Sequence, residues 1–369
     1  MKRRSFLSRS AKGAAAATAT VAAASTLAAP AIASNKLRLK MVTAWPKNFP
    51  GLGTAAERFA KSLAAATDNE IQIKVYGAGE LVPAFEAFDA VANGTADMYH
   101  GADYYWQGKS KAFNFFAAVP FGLTAAEMMS WMYHDGGQEL YDELCARFNV
   151  KAFMAGNSGV QMGGWFNKEI KTPEDFKGLR MRIPGLGAEV IRRLGGAAVN
   201  IAGAEVYSAL KQGRIDATEW VGPWNDLAFG FHKIAEYYYY PGFHEPGPSL
   251  ALGLNLELWN NLPKHTQETI RLICAAENSI SLAEFNTRNA SALDDMVNKH
   301  NVKLRAFPEE VLMKIGKVSG EVVAEAGNED DFSKRVYDSY MTARAKSAEW
   351  YRIADQAYQD ARKLPFEYG

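Results

Sequence analysis

The regular alternation of strand-like and helix-like segments is the feature of this sequence that restricts its fold most. Residues 37–42 alternate apolar and polar side chains with a period of two, which predicts a strand. Residues 53–66 place apolar side chains at helical spacing, and a second strand is predicted over 71–76. A second helix is predicted over 83–93, with Gly94 ending it. Strands that alternate with helices in this way indicate an α/β protein.

The strand and helix segments fall into two series, followed by long helices. We predict a first α/β domain over residues 34–155, completed by part of the later chain, and a second over 156–250. Residues 251–330 are predicted to hold a crossing strand and long helices that link both domains. Residues 331–369 form a predicted C-terminal helix with apolar side chains on more than one face. Such a helix either packs into its own core or docks on another subunit.

The first 33 residues have the composition of an export signal. A basic segment over 2–7 precedes an uncharged, alanine-rich stretch over 13–29, and Ala31-Ile32-Ala33 has the small-x-small pattern of a signal peptidase site. Paired arginines before a weakly apolar stretch favour the twin-arginine (Tat) route, with cleavage after Ala33. A transmembrane anchor is the alternative, but it needs about 20 strongly apolar residues. We therefore expect a periplasmic protein of a Gram-negative bacterium.

Charge and cysteine content exclude some classes of function. Without the first 33 residues the chain has 36 basic against 41 acidic groups, a formal charge of −5, which does not suit a nucleic-acid-binding protein. Cys145 and Cys274 could pair in an oxidising compartment, but their apolar, helix-like surroundings favour buried free thiols.

Complete catalytic motifs are missing from the sequence. No two of the six histidines have the spacing of a His-x-x-x-His zinc pair. The segment Gly156-Asn157-Ser158-Gly159 resembles a nucleophile elbow, but Val160 replaces its final glycine. Gly185-Leu186-Gly187 resembles a dinucleotide-binding turn, but Val190 replaces the third glycine.

One group of residues is suited to binding an organic anion. Arg180 and Arg182 lie on one face of a predicted strand over 179–183, and this strand ends at a proline beside a glycine-rich turn. Ligands of open α/β sheets bind at such strand ends, and a guanidinium can bind a carboxylate through two hydrogen bonds. Either arginine alone could equally be a solvated surface charge. Asp216 and Glu219 are predicted on opposite faces of a strand over 215–220, where a carboxylate needs a cation or a donor.

Aromatic residues cluster at predicted turns and strand ends. Pockets are typically apolar and aromatic, although such residues could equally belong to the core. They include Tyr104, Tyr105, Trp106, Trp165, Phe166, Trp220, Trp224 and residues 237–240.

Several longer strings, spread over the mature chain, carry a resemblance to a known family. They are VTAWPKNFP (42–50), YYWQGK (104–109), GNSGVQMGGWF (156–166), GLRMRIP (178–184), IDATEWVGPWND (215–226) and YYYPGFHEPG (238–247). Together they make the chain resemble the periplasmic solute-binding proteins of tripartite ATP-independent periplasmic (TRAP) transporters, in particular the DctP-like branch that binds 2-oxo acids. The resemblance implies a two-domain α/β fold of the periplasmic-binding-protein type, with a long helix spanning both domains over 264–300 and further C-terminal helices.

The resemblance also implies a binding site for a small carboxylate and a cation. Arg182 matches the family arginine that pairs with the substrate carboxylate, and Arg180 is left as a more exposed neighbour. The metal ligands implied are Gln161, Glu219 and the backbone carbonyl of Trp220, an all-oxygen set that suits Na⁺ or Ca²⁺.

Further substrate contacts follow from the same resemblance. Asn157 and Tyr104, or Tyr105 in its place, match positions that donate hydrogen bonds to the substrate, and Gln161 and Trp220 also line the site. His244 and Glu245 are expected at its rim. Some relatives have a polar group near the position of Ala251, so the pocket polarity or size is expected to differ here.

The resemblance implies a binding protein rather than an enzyme. Its two domains would close on the ligand, and the closed form would dock on the membrane permease subunits of a TRAP transporter. Exchange of the C-terminal helix between subunits would make a homodimer. Two alternatives remain from the sequence: a binding protein that acts through a sensor, and an exported enzyme that uses Glu219 as a base.

Overall fold

The computed structural model describes residues 36–368, so the predicted signal peptide over 1–33 lies outside the described residues. Among the helices of the described range, none has both the length and the apolar character needed to cross a bilayer.

Strands and helices alternate over most of the described chain. The strands are β1 (Leu37–Thr43), β2 (Ile71–Tyr76), β3 (Met98–Gly101), β4 (Val150–Asn157), β5 (Gly164–Phe166), β6 (Arg180–Arg182), β7 (Ala197–Val199), β8 (Ala217–Thr218), β9 (Tyr237–Tyr240), β10 (Ser249–Asn255) and β11 (Lys303–Ala306). The helices are α1 (Leu52–Ala66), α2 (Ala87–Ala92), α3 (Phe113–Ala117), α4 (Ala125–His134), α5 (Gly137–Ala146), α6 (Gly185–Arg193), α7 (Gly203–Lys211), α8 (Pro223–Phe229), α9 (Leu256–Asn261), α10 (Lys264–Asn298), α11 (Glu309–Gly327), α12 (Asp331–Tyr351) and α13 (Ala357–Ala361).

Two separate sheets form from these strands. The first has the order β2-β1-β3-β10-β4, with β1 parallel to β2 and β3, and β10 antiparallel to β3 and β4. The second has the order β11-β9-β5-β8-β6-β7, with β6 parallel to both β7 and β8. Each sheet is completed by a strand from late in the chain, β10 in the first and β11 in the second. The predicted two-domain α/β fold is confirmed.

The long helix α10 packs against both domains. It contacts β4 and α1 on the side of the first sheet and α8 on the side of the second. The prediction of a helix over 264–300 that spans both domains is therefore confirmed. Further along the chain, α11 packs on α6 of the second domain, whereas α12 packs on α4 and α5 of the first.

Local signals set several helix boundaries as the sequence predicts. Thr124 and Glu127 have the three-residue spacing in the sequence that is typical of a capping box, and they form one at the start of α4. Thr172 and Asp175 form a second box, but it opens only a short 3₁₀ turn, Pro173–Phe176.

One predicted element is shorter than expected, because the strand predicted over 215–220 is limited to Ala217–Thr218. The C-terminal helix predicted within 331–369 is continuous from Asp331 to Ala361 and includes a π-helical turn, Arg352–Gln356. Cys145 and Cys274 are both buried free thiols, as the sequence favours.

Candidate ligand-binding site

Two chain connections join the sheets and lie side by side. Residues 158–163 link β4 to β5, and residues 241–248 link β9 to β10. The backbone nitrogen of Gln161 donates to the backbone oxygen of Glu245 at 3.1 Å, and the backbone nitrogen of Gly242 donates to the backbone oxygen of Gln161 at 2.9 Å. The two connections therefore form one hydrogen-bonded unit at the junction of the domains.

Arg182 lies at the carboxyl end of β6 with only 1% of its residue surface exposed. Its Nη1 donates to a carboxylate oxygen of Glu219 and, at 3.1 Å, to the backbone oxygen of the same residue. The guanidinium carbon lies 5.0 Å from the ring centre of Trp220. Nη2 is buried and has no hydrogen-bond partner within residues 36–368. Arg182 therefore keeps one enclosed donor group free for a ligand.

Glu219 is the partner of both Arg182 and a histidine. Its second carboxylate oxygen lies 3.1 Å from His244 Nε2, and neither the glutamate nor the histidine side chain is more than 1% exposed. The carboxylate thus has the charged partner that its buried position requires.

The prediction that Asp216 and Glu219 face opposite sides of a strand is wrong. β8 ends at Thr218, so the strict alternation stops before Glu219. Asp216 pairs with the exposed Arg180 at 2.6 Å, while Glu219 pairs with the buried Arg182. The two arginines of β6 therefore each have their own carboxylate, and Arg180 is the more exposed of the pair, as expected.

Gln161 projects into the same buried group. Its Nε2 donates to Glu245 Oε2 at 2.8 Å and to Ser158 Oγ at 3.1 Å. Its Oε1 is buried and unpartnered in the described part of the chain. A side-chain amide held in this way presents its oxygen as a free acceptor.

His244 and Glu245 are core members of this group, so the expectation that they lie at its rim is wrong. They are only 2% and 3% exposed. A ligand atom from each of Glu219, His244 and Glu245 lies within 4.8 Å of the others. Burial, together with the charge of Glu219, raises the pKa of Glu245 well above its usual value. Sequence reasoning missed this because the contacts join distant segments. The available signal was a His-Glu pair between Pro241-Gly242 and Pro246-Gly247, in a chain with few histidines.

Two tyrosines approach the group from the first domain. Tyr104 and Tyr105 lie on a 3₁₀ turn, Asp103–Trp106, that follows β3. Burial raises the pKa of Tyr104 well above its usual value, with Glu245 and Glu219 adding to the effect. Burial raises the pKa of Tyr105 to about 12, while the charge of Arg182 acts in the opposite direction. Both hydroxyls therefore stay protonated and can donate hydrogen bonds.

Asn157 and Trp220 are buried at the same junction, but in different environments. Asn157 Nδ2 donates to the Gly247 carbonyl at 3.3 Å, and Asn157 Oδ1 accepts from the Gly159 nitrogen at 2.8 Å. In this conformation its amide is therefore engaged with the connections. The Trp220 Nε1 is buried without a partner among the residues described.

Aromatic side chains of both domains close over the group. The Trp45 and Phe49 rings of the first domain meet the Trp220 ring edge-on, with centroids 6.5 and 6.2 Å apart. The Asn225 side chain of the second domain donates to the Pro50 carbonyl of the first at 3.0 Å. The domains are thus in contact and the charged group is shut off from solvent.

The donor set fits a hard cation beside an anion. Carboxylate and amide oxygens are the ligands that Na⁺ and Ca²⁺ prefer, and Gln161 Oε1 is an unpartnered oxygen next to two buried glutamates. His244 is the one nitrogen donor in the cluster, and its Nε2 already faces Glu219.

Two α/β domains closed over a buried arginine with an unpartnered donor and over an oxygen-rich group are typical of a two-domain solute-binding protein. Residues 41–330 match the model of the bacterial extracellular solute-binding proteins, family 7 (DctP). The chain belongs to this family, and the resemblance drawn from the sequence is confirmed.

Individual relatives show what this chain is similar to. It is 41% identical over 324 residues, 88% of each chain, to a protein of a Nostoc species named monocarboxylate 2-oxoacid-binding periplasmic protein. A TRAP periplasmic solute-binding protein of Pseudoalteromonas atlantica, solved with bound sodium and pyruvate, is 39% identical with a TM-score of 0.85, covering 90% of this chain and 100% of its own. A TRAP solute-binding protein of Bordetella bronchiseptica, a dimer with calcium and picolinate, is 34% identical with a TM-score of 0.87, covering 89% of this chain and 97% of its own.

Proposed function

We propose that this chain is the periplasmic binding subunit of a TRAP transporter and that it binds a small 2-oxo or 2-hydroxy monocarboxylate, such as pyruvate, with Na⁺ or Ca²⁺ in the cleft between its domains, for uptake driven by an ion gradient. One observation carries the proposal. A buried guanidinium donor, Arg182 Nη2, and a buried amide acceptor, Gln161 Oε1, belong to one enclosed group and lack partners among residues 36–368. A carboxylate would satisfy the donor and a cation would satisfy the acceptor.

The residues divide between the two parts of this ligand. Arg182 would bind the carboxylate, and Tyr104 and Asn157 would donate hydrogen bonds to it or to the neighbouring oxygen. Gln161, Glu219 and the backbone carbonyl of Trp220 would hold the cation. When bound, the cation offsets the charges of Glu219 and the substrate, so that two anions can share a site with little water.

Aromatic rings surround the buried polar group closely, which favours a ligand with few atoms. The Trp45, Phe49 and Trp220 rings close one side, and the Tyr104 and Tyr105 rings stand at 89° to each other with centroids 4.9 Å apart. The pyruvate and picolinate of the two solved relatives are both small carboxylates with a second polar atom next to the carboxyl group.

Ligand entry requires the domains to separate, because the arginine and both glutamates are covered in the conformation described. The chain passes between the domains at the connections 158–163 and 241–248, along the helix α10 and at the link between α11 and α12. We propose that closure around the ligand prepares the surface that the membrane permease subunits recognise. Export by the Tat route with cleavage after Ala33 belongs to the same proposal.

A thermal-shift series tests the function. We expect pyruvate with Ca²⁺ or Na⁺ to raise the melting temperature of the mature chain, because a ligand at 100 times its Kd stabilises by about 2.7 kcal/mol. Arg182→Ala should abolish the shift. Arg180→Ala should keep it, because Arg180 lies two residues earlier on β6 and its side chain is exposed. Mass spectrometry of the ligand released afterwards should return it unchanged. The proposal is wrong if none of a panel of C2 to C6 monocarboxylates shifts the melting temperature with either cation.

A further inference from the structure

Two consecutive residues of one connection each contact one of the side chains proposed for the cation. His244 Nε2 lies 3.1 Å from a carboxylate oxygen of Glu219, and Glu245 Oε2 accepts from Gln161 Nε2 at 2.8 Å. All four side chains belong to residues that are 5% exposed or less. The arrangement links the 241–248 connection to the proposed cation site through side chains as well as through the backbone.

The orientation of the Gln161 amide depends on this contact. The two ends of a glutamine amide have similar shape but opposite hydrogen-bonding character, so only the partners decide which end points where. Both partners of Nε2, the Glu245 carboxylate and the Ser158 hydroxyl, are acceptors in this arrangement. Turning the amide round would place its oxygen against a carboxylate oxygen. The ionised Glu245 carboxylate therefore keeps Oε1 directed away from itself and free, and the Ser158 hydroxyl, which can accept or donate, adds a second contact that holds Nε2 in place.

From these contacts we infer that Glu245, assisted by Ser158, is a positioning residue that fixes the Gln161 amide with its oxygen presented to a cation. The inference rests on the proposed function, because it assigns a role toward the same cation. Groups that orient metal ligands in this way typically change metal affinity 10–100-fold when they are removed.

A direct ligand role for Glu245 is the competing explanation, and it predicts a different order of effects. An amide at position 245 keeps an oxygen that can accept from Gln161 Nε2 but loses the charge that a direct carboxylate ligand would supply. Positioning therefore predicts that Glu245→Gln retains most of the cation affinity that Glu245→Ala loses. Direct ligation predicts that both variants lose it to a similar degree.

The experiment measures Ca²⁺ binding to the full mature chain by calorimetry, without and with pyruvate. We expect Glu245→Ala to weaken Ca²⁺ binding at least 10-fold, and Glu245→Gln and Ser158→Ala to weaken it by smaller factors. Glu277→Gln is the matched control, since Glu277 is a buried glutamate of α10 that pairs with Arg58 of α1. It should lower the melting temperature and leave Ca²⁺ affinity unchanged.

The outcomes separate this inference from the proposed function. If the unaltered chain binds neither Ca²⁺ nor pyruvate, the proposed function itself fails. If it binds both, unchanged Ca²⁺ affinity in Glu245→Ala, or equal losses in the Ala and Gln variants, overturns the positioning role alone. If Glu245→Ala does not fold, two other variants decide: Glu245→Gln, and the double variant that combines Glu245→Gln with Ser158→Ala. Unchanged Ca²⁺ affinity in both of them would overturn the positioning role.

Discussion

The Arg182 guanidinium and the Glu219 carboxylate form an ion pair between β6 and the residue that follows β8, with side-chain exposures of 1% and 0%. Removing two charges from water is expensive, and the pair repays this only while both members are present. We therefore expect that replacing either Arg182 or Glu219, or binding a charged ligand beside them, strongly changes the stability of the domain junction.

Glu219→Gln should destabilise the ligand-free chain and remove its response to cations. Breaking a buried pair from one side costs about 3–5 kcal/mol. Urea unfolding measures this loss, and thermal shifts with Ca²⁺ measure the response. Asp216→Asn provides the control, because it breaks the neighbouring exposed pair with Arg180, which we expect to contribute less than about 1 kcal/mol. Equal effects of the two variants would contradict this prediction.

Arg182→Lys should weaken pyruvate binding although it keeps the charge. A lysine lacks the second planar donor, and a hydrogen bond to a charged group is worth about 1.5–3 kcal/mol, or roughly 10–150-fold in affinity. Calorimetry with pyruvate at saturating Ca²⁺ gives the affinity. Arg180→Lys should bind as the unaltered chain does. Full affinity in Arg182→Lys would show that the carboxylate does not use the guanidinium fork.

Asp103→Asn should change how stability depends on pH. Asp103 is buried with Tyr99 and Tyr141 as hydrogen-bond donors, and burial raises its pKa from 3.8 to about 7. A carboxyl whose pKa is raised by folding favours the folded state while protonated. That contribution is complete below about pH 4 and is lost as the pH rises to about 7.

The stability difference between Asp103→Asn and the unaltered chain isolates this effect. The free energy of unfolding of the variant, relative to that of the unaltered chain, should rise by on the order of 4 kcal/mol between pH 4 and pH 7 and then stay constant. Urea unfolding at several pH values gives the difference. A pH-independent difference for Asp103→Asn would contradict the prediction.

Gly203→Ala should disturb the Trp220 ring. A Cβ atom at Gly203 would lie 2.3 Å from Trp220 Cη2, closer than packed atoms allow, so the ring must move. Overpacking of this kind costs about 1–3 kcal/mol, and the altered ring position should weaken pyruvate binding. Gly320→Ala is a suitable control, since a Cβ there meets nothing within 4 Å. Unchanged affinity in Gly203→Ala would show that the Trp220 ring does not shape the ligand site.

We propose that the chain forms a homodimer through its C-terminal segment, so that removal of residues 345–369 should leave a monomer. The end of the chain exposes large apolar side chains, which is unusual for a free surface. They are Trp350, Ile353, Tyr358, Leu364 and Phe366, each at least 55% exposed. Native mass spectrometry or light scattering gives the subunit number, and the thermal shift with pyruvate should be retained in the shortened chain. A full-length chain that is monomeric at micromolar concentration would argue against the homodimer.

Periodicity and capping predict most of this fold because they are local. The period-two pattern of β1 and the Thr124–Glu127 box depend on residues close in sequence, and both appear where expected. The strand predicted over 215–220 fails because tertiary context limits it: β8 pairs with β5 and β6 only at Ala217 and Thr218.

Contacts between distant segments explain what the sequence could not indicate about the site. The neighbouring residues in the sequence, an apolar strand pattern that ends at Pro184, predict that Arg182 lies at a strand end. The pairing of Gln161 with Glu245 depends on how two connections lie side by side, and that of Glu219 with His244 on how one of them meets the residue after β8; the partners are 84 and 25 residues apart respectively. No local pattern encodes such an arrangement, so the two residues placed at the rim turned out to be buried.

The exposed Arg180–Asp216 pair has a consequence for the buried pair two residues further along β6. Arg180 binds both oxygens of Asp216, at 2.9 and 2.6 Å, while backbone bonds join Asp216 to Arg180 and Glu219 to Arg182. A strand shifted by one residue would turn its side chains to the opposite face. The outer pair, which solvent can reach, is thus compatible only with the register that also places the inner arginine beside its glutamate.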